Sequence, residues 1–133
     1  MQADFLSETI ELLKGEGLSV AIETSGYVPF ADYKKIVSMV DFVYQDIKHY
    51  DKEAFRRWTN GDFSVVLENV EYLKTSGTPF VFRIPLIPGV NDSSADRVEF
   101  EKLTLGYEIE YLPYNNAAGA KYPLLGREFP LSH

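Results

Sequence analysis

Stretches whose apolar residues recur at helical spacing alternate along this chain with short β-rich runs as far as Leu112, and a tail punctuated by Gly and Pro follows. From Asp4 to Lys14, the residues Phe5, Leu6, Ile10, Leu12 and Leu13 fall on one side of a helix, with Asp4 as N-cap and Gly15 and Gly17 as stops. Leu18 to Glu23 alternates with period two and runs into the turn residues Thr24-Ser25-Gly26, which predicts a strand. A second helix is expected from about Phe30 to Val40, with Phe30, Tyr33, Val37 and Val40 on one stripe, then a second strand from Asp41 through Lys48. Asp51 to Trp58 reads as a short helix closed by Asn60-Gly61, and Ser64 caps a longer one through Lys74 that ends near Gly77. Phe80 to Ile87 is the third strand, in which Pro85 has no N–H to donate and marks a bulge or the strand's end; Pro88 to Asp92 is a loop. Ser93 or Ser94 opens a last helix to about Leu103, Tyr107 to Leu112 is the fourth strand, and a tail from Pro113 is expected to wrap over the body.

Parallel strands need long crossovers, and these are right-handed, so the fold class predicted is α/β, with four parallel strands in sequence order and crossover helices. The 133 residues make one domain, 1–133. Composition then removes function classes. The chain is 45% hydrophobic and 25% charged with no long apolar run, which argues against disorder and a membrane span. Thirteen Lys plus Arg against twenty Asp plus Glu leave a net charge of -7, which repels a phosphate backbone, so no nucleic-acid or membrane partner is expected. There is no cysteine, hence no disulfide, thiolate zinc site or Cys-ligated cluster within the chain. The N-terminus lacks a secretory pattern, and a cytoplasmic location is the expectation.

Ligands of parallel α/β sheets sit at the carboxyl ends of the strands. Those ends carry Glu23, Asp46 with Lys48, Arg83 and Asn115. Asp46 and Lys48 are two apart and share one face, whereas Val43 and Ile47 face the helices; on the first strand Ser19, Ala21 and Glu23 oppose Leu18, Val20 and Ile22. Charges on an interior face are costly unless paired, so these four ionic groups satisfy either one another or a ligand, and both readings stand. His49 reads more readily as structural or solvated than as catalytic, and His133 as a terminus.

Ile22-Glu23-Thr24-Ser25-Gly26-Tyr27, Asp46-Ile47-Lys48-His49, Arg83 through Asp92, and Leu112-Pro113-Tyr114 followed by Lys121-Tyr122 together resemble the activating enzymes of glycyl radical enzymes, of which pyruvate formate-lyase activating enzyme is the best known. The resemblance runs in order from Met1 to about Leu131. It implies a radical S-adenosylmethionine enzyme on a partial (β/α)6 barrel, in which a CxxxCxxC loop holds a [4Fe-4S] cluster and a Gly-Gly-Glu-Pro segment contacts the methionine part of the cofactor. Neither element occurs here, so the chain is expected to be the back portion of such a barrel, strands three to six, with the cluster of the parent protein not ligated by this chain. The resemblance places a partial S-adenosylmethionine site on Glu23, Thr24, Ser25, Asp46 and Lys48, with Glu23 and Asp46 also framing a monovalent cation. Arg83 approaches the cofactor or the partner's glycyl loop, or else pairs with an interior acid. Asn115 stands where the family members in question have His and cannot become cationic, so the resemblance implies either a weaker cofactor contact at Asn115 or a sub-branch acting on a different glycyl radical partner.

In the parent, the reduced cluster would cleave the cofactor to a 5'-deoxyadenosyl radical that takes hydrogen from a glycine of the partner, a glycyl radical enzyme such as pyruvate formate-lyase, with flavodoxin or ferredoxin as reductant. The chain alone is expected to be inactive and to self-associate along its unpaired first strand. Trp58 and most tyrosines and phenylalanines are expected to fill the core, with Tyr44 and Tyr114 the ones to watch for stacking on the adenine. Two further classes stay open: a stand-alone α/β module for a nucleotide or small molecule, and an interaction subunit that completes a barrel with another chain.

Overall fold

Backbone groups at helix ends need partners, and aspartate and serine supply them at three helix starts. The computed structural model describes residues 2–127. In it Asp51 caps α3 (Lys52–Thr59) by accepting from Ala54 N at 2.8 Å, and Asp62 caps α4 (Phe63–Thr75) by accepting from Ser64 N at 2.9 Å. Ser93 and Asp96 form a reciprocal capping box at α5 (Ser94–Leu103). Two expected caps differ. Asp62 rather than Ser64 caps α4, and α1 (Ala3–Gly15) begins before Asp4, whose carboxylate stays in the first turn and meets Lys35 at 3.2 Å. There it complements the positive end of the helix dipole.

Between the helices run β1 (Ala21–Thr24), β2 (Phe42–Asp46), β3 (Phe80–Pro85) and β4 (Ile109–Leu112), with α2 (Phe30–Val37) between β1 and β2. All pairings are parallel, in the order β1-β2-β3-β4. All four strands are shorter than their sequence pattern, and at the starts of β1 and β4 neighbouring backbone is used elsewhere. Leu18 N–H closes the C-terminus of α1 on Leu13 C=O at 3.1 Å, with Gly17 in the left-handed region, so Leu18 is half exposed and outside β1. Tyr107 N–H likewise bonds Thr104 C=O in a turn before β4. The tail makes two 3-10 turns, Asn116–Lys121 and Pro123–Leu125, with Tyr114 and Tyr122 half-buried and Leu124 and Leu125 exposed; residues 128–133, His133 among them, lie outside the described residues.

Strands added in sequence order through right-handed crossovers place every connecting helix on one face. Side chains report the result. On the helix side Val43 and Gln45 of β2, Ile47 just past it, and Phe82 and Ile84 of β3 are fully buried, the apolar ones in two clusters against α1–α2 and α3–α5. Gln45 is the polar intruder in that layer. Its Oε1 accepts from Tyr33 Oη at 2.7 Å and its Nε2 donates to Asp46 C=O at 3.0 Å; burial, with Tyr72 adding to it, pushes the Tyr33 phenol upward. Gly26 lies directly over Gln45: its φ is +68°, and a Cβ there would stand 2.8 Å from Gln45 Nε2, so the close approach requires glycine.

Asp41 fixes the entry to the sheet. Its Oδ1 accepts from Lys14 Nζ at 2.7 Å and its Oδ2 from Val20 N at 2.8 Å. The Lys14 hydrogen bond first, and the Val20 amide second, hold the carboxyl below its ordinary range. A depressed native value means that the contribution to stability is present above the unfolded value of about 3.9 and is lost as pH falls through the native one. Asp41→Asn keeps an acceptor for Val20 but no charge for Lys14. It is expected to melt below the wild type near pH 7 and to converge on it as pH falls through the depressed native value. Parallel melting curves across the whole range would show that the charge contributes nothing.

Candidate functional site at the carboxyl rim

The face without helices carries the chemistry. Register puts Glu23 beside Tyr44, Asp46 beside Arg83, and Arg83 beside Glu110, so these side chains alternate out of the sheet on the same side. Arg83 is the hub. Its Nη1 meets Glu23 Oε2 at 3.1 Å, its Nε meets Glu110 Oε2 at 2.8 Å, and its guanidinium carbon lies 3.8 Å from the Tyr44 ring centroid. One side chain thus ties β1, β3 and β4 together while stacking across β2. The Glu110 hydrogen bond, helped by Glu110 and Glu23 charge, holds the guanidinium above its ordinary value. In this structure Arg83 pairs with two acids, Glu23 and Glu110, each about half exposed, with Tyr44 beneath it.

Beyond Arg83 the rim turns to a different pair. Lys48 Nζ contacts Asp46 Oδ2 at 2.5 Å, and the Asp46 side chain is only 11% exposed. Its other oxygen, Oδ1, is buried and has no hydrogen-bond partner. A buried carboxylate oxygen without a donor is costly, and a ligand donor at that point removes the cost. The structure therefore brings together Asp46 with Lys48, and Glu23 with Arg83, so the two acids expected to frame a cation are each engaged by a basic side chain. Thr24 and Ser25 form the turn above β1: Thr24 Oγ1 accepts from Gly26 N at 3.0 Å and Ser25 Oγ from Tyr27 N at 3.4 Å. Asn115 is exposed and caps the following 3-10 turn, its Oδ1 accepting from Ala117 N at 2.9 Å. Tyr114 Oη, just before it, is buried without a partner.

His49 is structural. It is 5% exposed, its Nδ1 accepts from Asp51 N at 3.1 Å, and its ring packs on Tyr50. Two residues the sequence reading passed over hold the rim. Asn69, fully buried on α4, donates to the carbonyls of Gly26 and Val28 at 2.8 and 2.9 Å. Asn91, also fully buried, accepts from Ile87 N at 2.7 Å and donates to the carbonyls of Pro85 and Lys48 at 3.0 and 3.1 Å. Asn69 was visible as the single polar break between Val66, Val70 and Leu73, which share its buried stripe; Asn91 was hidden in an ordinary turn composition.

A one-sided parallel α/β sheet whose uncovered face ends in ionic and hydroxyl groups defines a scaffold for a polar ligand at its carboxyl rim. The chain belongs to the radical SAM superfamily, whose family model matches residues 1–100. It is 33% identical over 137 aligned positions to 4-hydroxyphenylacetate decarboxylase activating enzyme of Clostridioides difficile (strain 630), covering 99% of this chain and 43% of that protein. It is 31% identical over 131 positions to trans-4-hydroxy-L-proline dehydratase activating enzyme of Clostridioides difficile, covering 95% of this chain and 43% of that one. The chain thus spans less than half the length of these curated relatives. The crystal structure of a domain of pyruvate-formate lyase-activating enzyme from Bacteroides vulgatus ATCC 8482 matches with a TM-score of 0.77 at 19% identity, over 86% of this chain and 74% of that one, and shares the fold.

The family implies S-adenosylmethionine and an iron–sulfur cluster. The residues present fit the first: Asp46 Oδ1 is an orphaned buried acceptor suited to an ammonium or hydroxyl, and Lys48 beside it suits a carboxylate. They do not fit the second, since the chain has no cysteine and the described residues hold no group of three or more acidic or histidine side chains placed around a metal.

Proposed function

We propose that this chain supplies part of the S-adenosylmethionine cradle of a glycyl radical enzyme activating enzyme. The observation that carries the reading is Asp46, with one oxygen paired to Lys48 and the other buried and unpaired at the end of a central parallel strand. In this reading Asp46 and Lys48 hold the amino and carboxylate groups of the cofactor, and the Thr24 and Ser25 hydroxyls donate to its ribose. Arg83 keeps Glu23 turned along the sheet. When bound, the cofactor supplies the chemistry of radical hydrogen abstraction; what these residues do is bind, orient and keep water from one side of it. The whole protein's partner is then a glycyl radical enzyme, and its electron source a flavodoxin or ferredoxin. The relatives at 33% and 31% identity carry the names of a decarboxylase and a dehydratase, which favours a partner of that kind over pyruvate formate-lyase itself.

Titration calorimetry of the chain tests the reading. S-adenosylmethionine is expected to bind and ATP not to; Lys48→Ala and Asp46→Asn should each weaken binding by about tenfold or more, as loss of a hydrogen bond to a charged group does. The cofactor should be recovered intact after incubation with a reductant, because the residues for the cluster lie elsewhere. Tighter binding of ATP, or an affinity unmoved by both substitutions, would refute the assignment.

A further inference from the structure

Lys48 stands past the end of its strand. The last hydrogen bond of the β2–β3 ladder runs from Ile47 N–H to Arg83 C=O at 2.8 Å, and β2 itself ends at Asp46, so sheet pairing does not hold the Lys48 backbone. Asn91 does. We propose that Asn91 is the positioning residue for Lys48, fixing the main chain from which the Lys48 ammonium reaches Asp46.

The chemistry of the side chain fits that task. A carboxamide presents two N–H donors and a carbonyl acceptor in one plane, which no other side chain of its length does. All are used: the two donated bonds join the Lys48 and Pro85 carbonyls, at the adjoining ends of β2 and β3, and the carbonyl takes the Ile87 amide. Pro85 and Lys48 would otherwise present two inward carbonyls with no donor between them, and Asn91 is fully buried. The turn that carries the amide is braced independently. Val90 N–H and Asn91 N–H bond Ile87 C=O at 3.0 and 3.2 Å, and Gly89 N–H bonds Asp92 Oδ1 at 2.9 Å with Gly89 at φ +72°. A donor pair mounted on a closed turn is preorganised, so the position of Lys48 is set without ordering flexible chain at the moment of binding. Pro88-Gly89-Val90-Asn91-Asp92 is in this light a bracket for the neighbouring strand's lysine.

The consequence for ligand binding rests on the cofactor reading above, whereas the consequence for Lys48 itself does not. The test therefore has two readouts. NMR of side-chain ammonium groups is expected to give Lys48 a resolved resonance in the wild type, lost in Asn91→Ala and in Asn91→Asp, which keeps an acceptor for Ile87 but offers no donor to Lys48. Leu73→Ala, a destabilising change in the apolar layer under α1–α2, should leave that resonance in place. In calorimetry with S-adenosylmethionine, Asn91→Ala should weaken binding by about tenfold alone but by less than about twofold in a Lys48→Ala background. A Lys48 resonance that survives in Asn91→Asp, or equal losses of affinity with and without Lys48, overturns the positioning role. If the wild type binds no cofactor while the resonance still depends on Asn91, the positioning role stands and the cofactor reading falls.

Discussion

Truncating Phe82 to alanine is expected to lower the free energy of unfolding by about 3–5 kcal/mol, the usual cost of removing a fully buried aromatic side chain from a core that cannot collapse around the gap. Phe82 is 0% exposed on β3, between β2 and β4. It packs edge-on to Phe80 at 5.1 Å and to Tyr107 at 6.0 Å and belongs to the apolar cluster that includes Phe100, Val66 and Val70. Helices from both later crossovers meet there, so no single element can move in without breaking contacts with another. Against a total stability of about 5–15 kcal/mol for a domain, the loss is a large fraction. Urea titration should show a lower midpoint at an unchanged slope, and Phe82→Leu should lose less than half as much. A loss under about 1.5 kcal/mol would mean that this layer is not the centre of the fold.

Asn69→Ala is expected to cost about 2–4 kcal/mol, and the effect should be local to the rim. The substitution strips the donors from the Gly26 carbonyl, buried over Gln45, and from the part-buried Val28 carbonyl. It also removes a liability: Asn69 Oδ1 is itself buried without a partner, so two orphaned carbonyls replace one, and the net loss is smaller than two full desolvation penalties. Asn69→Asp should be worse, because a carboxylate would face two carbonyl oxygens. Hydrogen exchange is the informative measurement. The amides of Gly26 and Tyr27, bonded to Thr24 and Ser25, should exchange faster in Asn69→Ala while those of β3 keep their protection. Uniform loss of protection would mean that Asn69 supports the whole domain and not the turn that presents Thr24 and Ser25.

Much of the architecture was legible because its signals are local. The β-rich runs at Phe42–Asp46 and Phe80–Pro85 and the helical stripe through Val66, Val70 and Leu73 mark buried elements, and Asp51 and Ser93 mark helix starts by the hydrogen bonds their short side chains make, whereas at α4 Asp62 took the role expected of Ser64. The misread boundaries, Leu18 and Tyr107 among them, are positions where a β-like composition lost to a helix end or turn claiming the backbone N–H. Pattern along the chain contains no information about that competition, since it is decided by which carbonyl is nearest in space.

Strand parity likewise placed Glu23, Asp46 and Arg83 on one face, because alternation of side chains is a property of extended backbone. Which groups pair across that face was left to tertiary structure. Arg83 reaches Glu23 and Glu110, sixty and twenty-seven positions away in sequence, only because parallel register lays three strands side by side. Asn69 and Asn91 gained their roles in the same way, each from carbonyls that a crossover delivered to it. Amino-acid order by itself thus determined the elements, their direction and the face that carries charge, all consequences of local sterics and periodicity. Folding alone decided which charges cancel and which carboxylate oxygen is left buried without a hydrogen-bond partner, since electrostatic and hydrogen-bond partners are chosen by distance in space and not by separation along the chain.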